Sequence, residues 1–156
     1  PRFNASLAKD QESILVNRFF NIGFAVDTEE GLVVPVIKGA DKKGIRQLST
    51  EILDLSERTR LKKLGMDDLQ GGTFTVSSLG ALGGTGFTPI VNAPQLAILG
   101  VARMDTEPVW DGEKFLPRKV LPLSLSYDHR VINGADGGRF MNFLTRLLAD
   151  IRRFSL

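Results

Sequence analysis

His129 is the single histidine of a chain that contains no cysteine. An imidazole has an ordinary pKa of about 6.5, so its neutral form takes up a proton near neutral pH and returns it within one turnover. That chemistry is general-base catalysis. The sequence around His129 fits such work: a strand candidate, Leu123 to Tyr127, precedes it, and a turn at Asn133-Gly134 leads into a helix. Side chains at such junctions are held rigidly yet reach a cleft. Ser124, Ser126 and Asp128 are the nearest candidates for a hydrolase-like arrangement. In an extended chain, however, Ser126 and Asp128 share one face while His129 points the other way. No Gly-x-Ser-x-Gly elbow is present either, so no serine-hydrolase triad is expected. One histidine without cysteine does not make an ordinary tetrahedral zinc site, so metal catalysis is not expected.

The elements that must position this residue come from a chain of 156 residues, 42% hydrophobic and 24% charged. That composition suits one soluble domain with a real core. The longest apolar runs, Val33 to Ile37 and Leu96 to Val101, fall far short of the roughly 20 residues of a membrane span, and no membrane association is expected. The formal charge is only +2, with the basic residues scattered among acids. Nucleic-acid surfaces concentrate their positive charge, so no nucleic-acid partner is expected. Without cysteine there are no disulfides, which is compatible with a reducing compartment. Pro1 is no initiator methionine and residues 1 to 15 lack the sections of a signal peptide, so the chain reads as a piece of something longer.

Residues 18 to 37 read as two strands joined by a turn at Thr28-Glu29-Glu30-Gly31, a hairpin. From Ile45 to Leu64 the apolar residues Ile45, Leu48, Ile52 and Leu55 recur at helical spacing, and Gly65 stands where a helix stop belongs. Thr73 to Ser78 is a strand running into a loop with Gly80, Gly83, Gly84 and Gly86. No Gly-Lys-Ser/Thr follows, so these glycines are read as serving tight turns and close backbone approach rather than a phosphate. Leu96 to Val101 and Val120 to Tyr127 are further strands, the first central in a sheet. Between them Trp110 to Phe115 reads as a hairpin with an Asp-Gly turn. The last helix begins near Ala135 and places Phe140, Phe143, Leu144, Leu147, Leu148 and Ile151 on one stripe. Asp136 then lies in its first turn, where a negative charge suits the helix dipole. The fold class is α/β, a mixed sheet packed in layers with helices.

Ser126-Tyr127-Asp128-His129-Arg130-Val131-Ile132-Asn133-Gly134 resembles the His-x-x-x-Asp-Gly signature of the dihydrolipoyl acyltransferases and of their relatives, the chloramphenicol acetyltransferases. Further similar segments are Phe3 to Leu7, Asn21 to Val26, Gly31 to Val36, Gly72 to Gly80 and Pro89 to Pro94. They cover essentially residues 3 to 154, in family order. The resemblance implies a chloramphenicol acetyltransferase-like domain. Residues 1–156 would be a catalytic core domain that begins well inside the family's usual one, without its N-terminal part and without the lipoyl and peripheral-subunit-binding domains. Such a fragment would be weakly active or inactive.

The implied reaction moves an acetyl group between dihydrolipoamide and coenzyme A without a covalent acyl-enzyme. His129 is the implied general base on a thiol. Ser77 is the implied oxyanion donor, contributed by a neighbouring subunit; the competing reading is that Ser77 and Ser78 merely satisfy backbone groups at a strand end. Asn133 stands where most relatives carry aspartate, and an amide suits an orienting role, since it is no base. The lipoyl group is carried on a separate domain, and coenzyme A is a substrate. The implied partners are two further copies in a homotrimer, a larger cubic or dodecahedral core, lipoyl domains, and the pyruvate dehydrogenase and dihydrolipoamide dehydrogenase components. An exposed C-terminal segment, Ile151, Phe154 and Leu156, would serve that assembly. Phe74 to Gly80 and Pro108 to Gly112 look most like the acetyltransferases of bacterial pyruvate dehydrogenase complexes, which implies a bacterial, cytoplasmic protein. Two other readings stay open: an inactive core scaffold, and an acetyltransferase acting on a hydroxyl acceptor.

Overall fold

A computed structural model describes residues 1–150 and Arg152. Its centre is a five-stranded mixed sheet. The strands are β3 (Ile22–Phe24), β6 (Val36–Ile37), β7 (Phe74–Ser78), β8 (Ala97–Val101) and β11 (Leu123–Tyr127), in the spatial order β11-β8-β7-β3-β6. The three middle strands run parallel, and the two edge strands run against them. β8 is the most enclosed: Ala97, Ile98 and Leu99 are buried, as a strand with neighbours on both sides requires. Helix α3 (Gly134–Leu148) packs against β11, and α1 (Ile45–Arg60) lies against β6. The α/β reading therefore holds, and so does the central place of the Leu96 to Val101 segment.

Three two-stranded ladders surround the sheet: β1 (Ala5–Leu7) with β2 (Ile14–Val16), β4 (Val26–Thr28) with β5 (Gly31–Val33), and β9 (Asp105–Trp110) with β10 (Phe115–Val120). The expected hairpin over 18 to 37 is thus divided between two sheets. β3 pairs with β6 in the central sheet, and β4 pairs with β5 outside it. The division falls at Ala25, whose N–H is donated to Val76 of β7, and at Pro35, which has no N–H to continue a ladder.

Three other boundaries differ from expectation. α1 stops at Arg60, and Gly65 caps the start of α2 (Met66–Leu69) rather than ending α1. The chain turns away at Lys62, which adopts a left-handed φ of 57°. Val120 belongs to β10, and the Leu121-Pro122 step separates it from β11. The Trp110 to Phe115 connection is a four-residue loop in place of a two-residue Asp-Gly turn: the Asp111 carboxylate accepts from the N–H groups of Glu113 and Lys114 at 2.9 and 2.8 Å. Those bonds hold the Asp111 carboxyl below the usual carboxylate range.

Helix α3 begins with a side-chain cap, Asn133 Oδ1 accepting from the Asp136 N–H at 2.9 Å. Its Phe140 ring stacks on Phe3 at 4.3 Å and lies 5.9 Å from Phe74. Phe143 and Leu148 of the expected stripe remain exposed in the single chain, as do Ile45 and Ile52 of α1. Ile151, Phe154 and Leu156 lie outside the described residues. No described helix is long and apolar enough to cross a membrane.

Candidate active site

His129 sits in the turn that joins β11 to α3, and both ends of that turn are tied down. The Asp128 N–H is donated to Leu96 at 2.8 Å, and the Asp128 carbonyl accepts from Val131 and Ile132. Val131 and Ile132 drop into the main core cluster with Leu96, Ala97 and Ala5. Two buried side chains beneath it therefore fix the loop's path, while His129 and Arg130 face outward. Burying Ile132 completely contributes roughly 1.5 to 3 kcal/mol, enough to keep such a short turn in one conformation.

The turn is also braced electrostatically. The Asp128 carboxylate accepts from the Arg130 N–H at 3.0 Å and from its guanidinium at 2.6 to 3.1 Å. The guanidinium's hydrogen bonds hold the Asp128 carboxyl below its ordinary range, against the opposing effect of burial. Arg130 also donates to Gln11 in the β1–β2 turn at 3.0 Å. The imidazole itself lies against the Tyr127 ring, with centroids 5.7 Å apart and planes 39° apart. Among the described residues no hydroxyl or carboxylate is bonded to His129, so neither Ser124 nor Ser126 forms a triad with it.

Asn133 spends its side-chain oxygen on the helix cap and makes no hydrogen bond to His129 among the described residues. It fixes the end of the loop that carries the histidine. Asp136 is paired with Arg2 at 2.7 Å and Arg139 at 3.2 Å, a surface arrangement at the helix start.

Ser77 and Ser78 part company in the structure. Ser78 is exposed, and its Oγ accepts from the Gly80 N–H at 3.5 Å. Ser77 points to the other side of β7, is 9% exposed, and has no hydrogen-bond partner among the described residues. Its Oγ nevertheless still meets solvent, since no unpartnered side-chain oxygen is wholly buried there. One serine serves the strand end, and the other holds a free donor in a nearly enclosed place. The 80-to-94 loop closes over the neighbouring strand: a Cβ on Gly100, the residue paired with Ser77, would lie 3.0 Å from the Phe87 ring and 3.2 Å from Pro89. Gly83 and Gly84 in that loop take positive φ values of 95° and 90°, so its glycines do serve turns.

The sheet register sets the relation between the two candidates. Ser77 lies beside Gly100, which lies beside Ser124. β11 runs antiparallel to β8, so Tyr127 and the turn beyond it are at the end where β7 and β8 begin. Three residues along the strands and two strands across put Ser77 about 10 Å from Tyr127 in each direction, and His129 lies further on. Reacting groups must come within about 3.5 Å, so the Ser77 and His129 of one chain cannot act on one carbonyl. A cleft of about 820 Å³ between the β4–β5 turn and the end of α1 is lined by neither residue.

Tyr127 and the Arg130–Gln11 contact were not anticipated from the sequence. Tyr127 carried a signal, as the only tyrosine, two residues before the only histidine.

Over residues 1–156 the chain matches the family of 2-oxoacid dehydrogenases acyltransferase (catalytic domain). It is 56% identical over 153 residues to the dihydrolipoyllysine-residue acetyltransferase component of the pyruvate dehydrogenase complex of Haemophilus influenzae, a match covering 98% of this chain and 27% of that protein. The chain thus spans about a quarter of the length of this curated relative. A solved structure of the Azotobacter vinelandii dihydrolipoamide acetyltransferase superposes with a TM-score of 0.97 at 56% identity, over 100% of this chain and 64% of that one. That work concerned the role of a serine, a histidine and an asparagine in the catalytic mechanism, the histidine 52 residues after the serine and the asparagine 4 after the histidine. The same intervals separate Ser77, His129 and Asn133. The atomic structure of the cubic core of the pyruvate dehydrogenase multienzyme complex superposes equally well, with a TM-score of 0.97 at 57% identity, again over 100% of this chain and 64% of that one.

Proposed function

The chain belongs to the family of 2-oxoacid dehydrogenase acyltransferase catalytic domains, and on that premise we propose that it transfers an acetyl group between dihydrolipoamide and coenzyme A at a site shared by two copies. The observation that carries this reading is the separation of Ser77 and His129. One offers an unpartnered hydroxyl and the other an exposed imidazole, at opposite ends of one sheet. A neighbouring copy that brings its His129 turn to this chain's Ser77 completes the pair. A homotrimer closes such a head-to-tail contact on itself. The proposed setting is trimers gathered into a cubic core, with lipoyl domains and the dehydrogenase components as partners in a bacterial cytoplasm; the likeness to the cubic core of a pyruvate dehydrogenase complex supports the assembly.

His129 accepts the proton of the incoming thiol. A thiol, with an ordinary pKa of about 8.5, is acidic enough to give its proton to a positioned base near neutral pH. The new S–C bond forms as the carbonyl π electrons move to oxygen, and the Ser77 hydroxyl of the neighbouring copy donates to that oxyanion. The tetrahedral intermediate then collapses, the original C–S bond breaks, and the imidazolium returns its proton to the departing thiolate. Asn133 acts by capping α3, which fixes the end of the loop carrying the base.

Acetyl transfer from acetyl-CoA to dihydrolipoamide, and to a simple alcohol acceptor, is the test, with His129→Ala as control. Transfer to the thiol that the control lacks supports the reading. Transfer to the alcohol alone, or no difference between wild type and control, overturns it.

A further inference from the structure

We infer that Tyr127 is a positioning residue for His129, and that Gly137 exists to let it be one; the inference rests on His129 being the general base proposed above. The imidazole stands exposed on its turn with no hydrogen bond among the described residues, and the contact that orients it is the tilted Tyr127 ring at 5.7 Å. The Tyr127 ring is in turn wedged in place. It packs on the core cluster of Leu96, Ala97, Val131 and Ile132, at the last position of β11. Its far edge lies on the first turns of α3, where a Cβ on Gly137 would come within 3.0 Å of Cε1 and 3.4 Å of Cζ. Real Cβ atoms rarely come so close, so a larger residue at position 137 must displace the ring against which the histidine lies.

The choice of residues fits this reading. Glycine inside a helix is destabilising relative to alanine. Gly137 is the one buried residue of α3, so the helix gives up that stability at the point of contact with Tyr127. The tyrosine hydroxyl has no hydrogen-bond partner among the described residues, so the ring and not the hydroxyl does the positioning.

Because His129 is the only histidine, its carbon-bound ring protons can be followed alone by NMR in protein carrying ¹³C-histidine, and the Tyr127 ring current shifts them. The expected result is that Tyr127→Phe keeps both the shift and the turnover. Tyr127→Leu loses the shift and lowers kcat about tenfold or more, with both KM values little changed, since small displacements of a reacting group are costly in rate. Gly137→Ala should perturb the shift and lower kcat in protein that still unfolds in one cooperative transition, which separates the loss of rate from a failure to fold. An unchanged His129 shift in Tyr127→Leu, or full kcat in both Tyr127→Leu and Gly137→Ala, would overturn the inference. Full turnover in His129→Ala would instead overturn the general-base reading on which it rests, and the NMR shift would still report whether the ring contact exists.

Discussion

The two ends of the central sheet are built on different principles. At the His129 end a short turn is pinned from below by Val131 and Ile132, capped by Asn133 and laced by Asp128 and Arg130, so that a chemically versatile side chain can stand outside the core. At the Ser77 end the hydroxyl is simply one position on a strand, nearly enclosed and without a hydrogen-bond partner among the described residues. The first end spends packing on holding an exposed base. The second needs only the register of β7 against β8 to place a donor. On the proposed function neither end is a site alone, and none of the four clefts described among these residues is lined by Ser77 or His129.

Loss of the His129 imidazole should be the most damaging single change. His129→Ala should lower kcat by roughly 10²- to 10⁴-fold in steady-state assays of the assembled protein, the range for losing a positioned general base. Ser77→Ala should lower kcat by roughly 100- to 1000-fold with KM little changed, the effect of one oxyanion donor. Ser78→Ala, one residue away on the opposite face, should leave both nearly unchanged, which sharpens the contrast between the two hydroxyls.

Asn133→Ala should cost about 1 kcal/mol in denaturant unfolding through loss of the helix cap, whereas Asn133→Asp keeps a good cap and should unfold near wild type. If Asn133→Asp also keeps its turnover, the side chain's oxygen and not its amide is what the turn requires. The smallest effect concerns acid. Asp128 has a folded pKa lowered by the Arg130 guanidinium, so its contribution to stability is full above its unfolded pKa of about 3.9 and is lost as pH falls through the folded value. Asp128→Asn should therefore be slightly less stable than wild type at neutral pH, with the gap closing in unfolding curves taken below about pH 4.

Much of the His129 end was legible in the sequence because its signals are local. Asn133 before Gly134 reads as a helix start, and the structure has it accepting from the Asp136 N–H. Leu123 to Tyr127 reads as a strand and is one. The Ser77 end was legible only as a strand running into glycines. Two adjacent serines look alike until the register shows which face each occupies. The boundary errors have similar causes. α1 ends at Arg60 because Lys62 turns left-handed without being glycine, and composition gives no warning of that. Pro122 was a readable break before β11 that the apolar run around it concealed. Periodicity correctly marked apolar faces on α1 and α3, but it does not say what covers them, and Ile45, Ile52 and Phe143 stay exposed in one chain.

Mixing the two inactive variants tests the shared site most directly. His129→Ala and Ser77→Ala chains, dissociated together and reassembled at equal amounts, should recover about a quarter of wild-type turnover, because random assembly pairs an intact histidine with a neighbour's intact serine at that frequency. If His129 and Ser77 must instead come from the same chain, every copy in the mixture is defective. Activity would then stay at the level of the separate variants, contradicting the account.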